Sequence, residues 1–314
     1  MAGYARAWWG MQTWAQAQTI WYAQNGFGNA VCWSPDKAIF VAVGDNNSVL
    51  TSPDGVNWTP QTGTGASNTS WQGVCWGGGQ FVATGNVGFV PYIMTSPDGI
   101  NWTAQTVSGF GFTGAALCGV AWGNGVYVTV GWSYNLIGGT ASLMASSSDG
   151  VVWTPIGYNN AYLSYPAWIP ALNEFLAVGQ NLKIYSSTTG TSWTGNTSPD
   201  YYLDNICGNG TIALVVSAAD SVSITSTDGT TWSAGSNLPP TGPIRLNPCG
   251  CCWSGDASMF AAVGTGACTS PDGTTWSGFE SGAVPNQFSV CWSPALKLFC
   301  SVGPTQSMIR PTAV

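Results

Sequence analysis

Histidine is absent from this 314-residue chain, and charge is scarce: six Lys and Arg stand against thirteen Asp and Glu. Without histidine, no His-based catalytic triad and no His-ligated metal site can be built. The acidic balance, a net charge of −7 with a pI near 4.1, argues against nucleic acid and anionic lipid, whose recognition needs basic patches. Nowhere do eighteen apolar residues run together, so no membrane-spanning helix is expected. The first twenty residues mix Arg6, Gln12, Gln16 and Gln18 into their apolar positions and offer no continuous apolar core. No secretory signal is read there, and a soluble protein is expected. No helical periodicity is found either.

What the chain has in excess is glycine, at 42 positions, and tryptophan, at 18. So many aromatics with so few charges exclude a disordered chain. Two phrases recur. One is SPDGVNWT at 52–59, repeated as SPDGINWT at 96–103, SSDGVVWT at 147–154, STTGTSWT at 187–194, STDGTTWS at 226–233 and SPDGTTWS at 270–277. The other, VCWSPDKAIFVAVG at 31–44, precedes it and has seven versions down to VCWSPALKLFCSVG at 290–303. One slot of that phrase holds Cys32, Cys75, Ala121, Ala167, Cys207, Cys252 and Cys291, spaced 39 to 46 residues apart. Each unit reads as four short strands separated by Gly, Pro, Asp and Asn, which is the signature of a propeller blade. The expected fold is all-β: a seven-bladed β-propeller of four-stranded antiparallel blades.

The turn phrase has a mechanical reading. Pro53 presets φ for a turn, Asp54 bonds the turn's own backbone, and Gly55 takes the left-handed conformation that closes the hairpin. Asp54, Asp98, Asp149, Asp228 and Asp272 are therefore assigned to structural turns. Trp58 is expected to pack on the base of its blade. The fourth unit has Thr189 in place of aspartate, and its turn is expected to be the weakest.

The seventh unit stops at a third strand, SMIR at 307–310, so the N-terminus is expected to supply the missing one and leave no open edge. Spacing favours the segment around Trp14, and similarity to NWTAQ at 101–105 favours Trp21; both stay open. The chain then divides into 1–29, a segment giving the closing strand, and 30–314, the propeller. Residues 1–11 are a candidate anchor.

The SxDGxxW phrase resembles the Asp-box of sialidase-type propellers, but lacks one residue between aspartate and glycine. Over residues 31–310 it is more similar to the SPDGxxWT-repeat propellers of bacteriophage tail and virion proteins and some bacterial surface proteins. That resemblance implies a non-enzymatic virion component of tail-fibre or receptor-binding type. Such a protein would be made in the bacterial cytoplasm and carried on the virion, with other virion subunits as partners. A capsid decoration protein and a glycan-cleaving enzyme are the alternatives.

Blade topology puts the 2–3 and 4–1 loops on one face, where all the length variation lies, and variable loops on a rigid scaffold carry function disproportionately. Trp71, Tyr92, Phe112, Trp132, Tyr134, Tyr158, Tyr162, Tyr201 and Tyr202 are the candidate ligand-binding residues there. Aromatic rings among Asn, Ser and Thr suit a sugar or a protein surface, here a host-surface glycan or a neighbouring virion subunit. Any single ring is expected to fold over and cap a blade end, while the cluster as a whole, drawn from the loops of blades one to four, favours a binding surface.

Five cysteines share the innermost-strand slot with two alanines, which marks small apolar filler; Cys268 and Cys300 fall on core positions. Cys118, Cys249 and Cys251 lie outside the repeat, and the CGCC run at 249–252 lacks a second pair with zinc-ligand spacing. No metal and no cofactor are expected, and the thiols are read as structural and reduced. The acids left on the variable face are Asp45, Asp200, Asp204, Asp220 and Glu280, and only a pair such as Asp204 and Asp220 could serve a glycosidase. Of the three arginines only Arg245 reaches that face, so no arginine clamp is expected. No catalytic residues are assigned.

Overall fold

The computed structural model of the chain describes residues 15–16, 28–106, 114–135, 139–156, 162–180, 182–199, 202–217, 221–233, 237–238, 250–277, 286–304 and 307–309. All regular structure among them is β-strand. No helix long and apolar enough to cross a membrane is present among them.

The strands fall into seven antiparallel sheets, which we number in chain order by their first strands. The first sheet runs Gly28–Ser34, Ile39–Gly44, Ser48–Ser52 and Thr59–Thr62, each strand paired with the next. Sheets two, three and four repeat this order with first strands Thr69–Gly77, Ala115–Gly123 and Tyr162–Ile169. The fifth and sixth, starting at Asn205–Gly208 and Gly250–Ser254, have three strands. There the outer strand is represented by isolated bridges, Thr225 with Ser233 and Val222 with Asn237 in the fifth and Thr269 with Ser277 in the sixth. In the seventh sheet, Ser289–Ser293, Leu298–Val302 and Ser307–Ile309 are joined by Ala15–Gln16, Ala15 opposite Met308 and Gln16 opposite Ser307. The closing strand thus comes from the N-terminal side, within QTWAQ at 12–16. Trp14, Trp21 and residues 1–11 lie outside the described residues.

Each first strand lies beside the first strand of the next sheet, and the seventh lies beside the first. The sheets are therefore propeller blades around an axis, with first strands innermost. The core sits at the seams between them. Phe40, Leu50 and Trp58 of the first sheet pack with Leu298 and Val302 of the seventh, and Val41 and Val49 with Trp71, Phe81 and Met94 of the second. The same arrangement holds at the remaining seams. Within each blade except the fifth, a Trp on the first strand meets an aromatic ring on the second. These pairs run from Trp33–Phe40 to Trp292–Phe299, with ring centroids 4.2 to 4.8 Å apart.

The turn phrase folds as its residues dictate. Ser52 Oγ accepts from the Gly55 N–H at 2.8 Å and donates to Asp54 Oδ1 at 3.0 Å. Asp54 Oδ1 then accepts from the N–H groups of Val56 and Asn57, both at 2.8 Å. The Trp58 indole donates to the Gly55 carbonyl at 3.0 Å, and its ring is buried. Gly99, at φ +78, shows why the fourth residue is glycine: a Cβ there would lie 2.9 Å from Val41 Cγ2 of the preceding blade. Each hairpin therefore clamps onto its neighbour as well as closing itself. In the fourth blade the hydroxyl of Thr189 accepts from the Thr191 N–H at 3.3 Å, longer than the aspartate bonds it replaces.

Candidate functional site at the axial cavity

The start of the innermost strand is irregular in the first four blades, at equivalent places. Gly28 pairs with Gly44 and Ala30 with Val43, leaving Asn29 as an extra, unpaired residue. Gln72, Cys118 and Ser164 are left over in the same way. A β-bulge re-aims the side chain of its extra residue and is over-represented beside functional sites. All four line one cavity of about 310 Å³, with Tyr162, Tyr165, Gln180, Tyr202, Leu203, Asp204, Asn205 and Phe288. That volume lies at the lower end of the range of small-ligand pockets.

The bulges have a sequence cause. Gly85, Gly131 and Gly179 end the second repeat phrase and stand opposite the bulged strands. A Cβ at Gly131 would lie 1.9 Å from the Ala116 carbonyl oxygen, and one at Gly179 equally close to that of Tyr162. Only glycine lets the bulged backbone press in so far.

The cavity wall is ordered by hydrogen bonds from behind. Asn29 directs its amide hydrogens to Asp45 Oδ1 and the Trp71 carbonyl, both at 3.0 Å. Gln72 donates to Ser70 Oγ at 2.6 Å, and Ser70 in turn donates to Asp45 Oδ1. Ser164 Oγ points its proton at backbone carbonyls, those of Leu203 at 3.0 Å and Val178 at 3.2 Å. Desolvation pushes the Cys118 thiol up to about 12 against the opposing hydrogen bonds of Tyr162 and Trp132. Desolvation also raises the Tyr165 phenol above its ordinary range, helped by Cys251, Cys75, Cys32 and Cys291. Those four thiols come from the first strands of the sixth, second, first and seventh blades, so Tyr165 reaches toward the axis.

The aromatic residues expected to bind a ligand divide. Tyr162 and Tyr202 line the cavity, and Trp132 stacks on Tyr162 with centroids 5.5 Å apart and meets Phe89 edge-on at 6.0 Å. Trp71 is corrected: it is fully buried in the seam between the first two blades, its indole donating to Asn47 Oδ1 at 3.0 Å. Its place on the strand is filled in later blades by the buried Leu117, Leu163 and Leu203, so this ring caps a blade end. Tyr92 packs on Trp71 at 5.6 Å and donates to the Thr64 carbonyl at 3.4 Å. Tyr134 lies in the strand Val126–Asn135; Phe112, Tyr158 and Tyr201 lie outside the described residues.

Asn29, Gln72, Cys118, Ser164, Asn205, Tyr165 and Phe288 line the site without standing out in the sequence as ligand-binding residues. A signal for most of them is nonetheless there: Asn29, Gln72, Cys118, Ser164, Asp204 and Phe288 all stand three positions before the repeat's Cys/Ala slot. Cys118 thus belongs to the repeat, contrary to expectation. Of the remaining acids, Asp45 supports the wall and Asp204 lines the cavity; Asp200, Asp220, Glu280 and Arg245 lie outside the described residues. The nine described cysteines are free thiols, and no group of three or more metal-ligating side chains occurs among the described residues.

No protein-family model and no curated protein matches the chain. Solved structures do. A catalytically inactive virginiamycin B lyase from Staphylococcus aureus with quinupristin aligns over 96% of this chain and 99% of its own, with a TM-score of 0.74 and 12% identity. YCF48 bound to D1 peptide aligns over 96% of both chains, with a TM-score of 0.64 and 16% identity. YCF48 from Cyanidioschyzon merolae covers 96% of this chain and 100% of its own, with a TM-score of 0.66 and 14% identity. At such identities the likeness extends to the fold alone. It overturns the virion reading, since the neighbours are a lyase and YCF48 rather than tail or capsid proteins. Neither the host-receptor role nor its decoration and glycosidase alternatives is retained. The comparisons establish a β-propeller scaffold.

Proposed function

We propose that this chain is a non-catalytic binding module: seven blades closed into one ring that takes part of a peptide into the axial cavity. One observation carries the reading. Four successive blades each break their own strand pairing to turn the equivalent side chain into the same space. A ring built only for stability gains nothing from four unpaired residues, whereas a recognition surface gains one adjustable side chain per blade. The chemistry of the wall favours binding over turnover. The one thiol there is held protonated, no histidine exists to activate it, and Asp45 is engaged in holding Asn29 and Ser70. Amides, hydroxyls and aromatic rings beside one another suit a peptide, and YCF48, one of the structural neighbours, is bound to a peptide.

Panning a displayed random-peptide library against the immobilised chain tests this. Selected peptides are expected to bind the native protein and to lose binding to Gln72→Trp, which fills the cavity from its rim. Peptides that bind both proteins equally, or a library that yields none, would defeat the reading.

A further inference from the structure

Resting on that reading, we infer that the group admitted to the axial cavity is an organic cation, the ammonium or guanidinium of a peptide side chain or amino terminus. The wall contains no Lys and no Arg among the described residues, while Asp204 lines it and Asp45 stands directly behind Asn29. A carboxylate or phosphate entering here would meet acids and, among the described residues of the wall, no counter-charge.

The polar wall is also biased toward accepting. Both amide hydrogens of Asn29 are engaged by Asp45 and the Trp71 carbonyl, which fixes the orientation of the amide and leaves Oδ1 as its remaining group. Gln72 is held the same way round, its nitrogen on Ser70 and its oxygen without a donor among the described residues. Ser164 has committed its only proton to backbone carbonyls and keeps its lone pairs. An N–H-rich cation supplies the donors that these oxygens lack.

Aromatic rings make up much of the rest: Tyr162, Tyr165, Tyr202 and Phe288 all line the space. The face of an aromatic ring attracts a cation, more strongly once water is removed. Tyr165 is the most telling of them. It is desolvated at the axis and lines the cavity. Desolvation keeps the phenol neutral at any ordinary pH, so its oxygen can accept from an ammonium or guanidinium N–H.

The experiment compares three small probes of similar size on the full-length chain: tert-butylammonium, which keeps its N–H donors, its neutral isostere tert-butanol, and pivalate. Binding is followed by saturation transfer to the probe's methyl resonances. The ammonium is expected to bind about tenfold more tightly than tert-butanol, and pivalate not at all. The preference is expected to shrink several-fold in Asp204→Asn and to vanish in Gln72→Trp, circular dichroism confirming that both variants are folded. Equal binding of the ammonium and tert-butanol, tighter binding of pivalate, or no binding of the ammonium would overturn the inference. Failure here is separable from failure of the peptide reading. Library peptides that depend on the cavity yet show no enrichment in Lys, Arg or a free amino terminus would leave peptide binding standing and remove the cation alone.

Discussion

The two ends of the blades solve different problems with the same repeat. At the turn end the hairpins are near copies. Serine holds the glycine N–H in all six. Aspartate holds the next two N–H groups in every hairpin but the fourth. In the first four the tryptophan indole closes onto the glycine carbonyl. At the axial end, the equivalent positions are occupied by Asn29, Gln72, Cys118, Ser164, Asp204 and Phe288. Identity is kept where each blade must grip its neighbour by one geometry. Diversity appears where side chains share a space and need not be alike. The contrast separates residues that hold the ring together from residues that give it something to recognise.

The largest expected effect lies at the turn end. Trp58 is buried between the first and seventh blades with Phe40 and Leu298, and truncating a buried tryptophan costs about 3–5 kcal/mol. Trp58→Ala is expected to lower the urea midpoint by a corresponding amount, and at the very seam where the ring closes. A midpoint within error of the parent would mean that the hairpins do not clamp the blades. Gly131→Ala should come next, at roughly 1–3 kcal/mol, because its Cβ would collide with the Ala116 carbonyl. It probes the axial end differently. Relief of that clash requires Cys118 to leave its bulge, so the cavity is expected to be altered along with the stability. An unchanged Cys118 reactivity toward a small alkylating agent in this variant would show that glycine is not what permits the bulge.

Acid offers a milder way to address the turn end alone. Burial acts to raise the carboxyls of Asp54, Asp98 and Asp272, but the hydrogen bonds they accept outweigh it and bring them down to about 2. Hydrogen bonds from the Val152 and Val151 N–H groups lower Asp149, and those from Thr231 and Thr230 lower Asp228. A group whose folded value is depressed stabilises the fold above its unfolded value, near 3.8 for these aspartates, and loses that contribution as pH falls through the folded one. The aspartates' contribution is therefore expected to be level from about pH 5 to neutrality and to decline below about pH 5 toward pH 2. Asp54→Ala, costing about 1 kcal/mol at neutral pH by analogy with helix caps, should make that decline shallower. A variant that loses stability equally at pH 7 and pH 2 would show that the carboxylate is not the source.

Much of this architecture is legible in the amino-acid order alone. The repeat announces blades, the turn phrase announces its own hydrogen bonds, and the strand missing from the last unit points to the N-terminal side. The cavity is not legible in that way, for a physical reason. Aromatic residues in long loops are the conspicuous candidates, but a ring such as Trp71 is drawn into the seam by its apolar area. The walls of the cavity are instead set by a backbone irregularity that composition does not reveal. Its trace is the glycine closing the second phrase, present as Gly44, Gly85, Gly131 and Gly179 in the four bulged blades and again as Gly264 and Gly303, with Ser217 in the fifth. Considered for what it permits across the ladder, that glycine points to Asn29, Gln72, Cys118 and Ser164.

The smallest expected effect on stability sharpens the comparison most. Gln72 is an extra residue outside the ladder, and its side-chain nitrogen bonds to Ser70. Substitutions of residues that neither fill a core nor leave a buried partner orphaned change stability by no more than about 0.5 kcal/mol. Gln72→Ala is expected to unfold with the parent, because Ser70 keeps its bond to Asp45. It should nevertheless alter which peptides the chain retains, since it removes one of the acceptors that face the cavity. If Gln72→Ala destabilised the protein as much as Asp54→Ala does, the axial end would be part of the framework, and the division between gripping and recognising residues would fail.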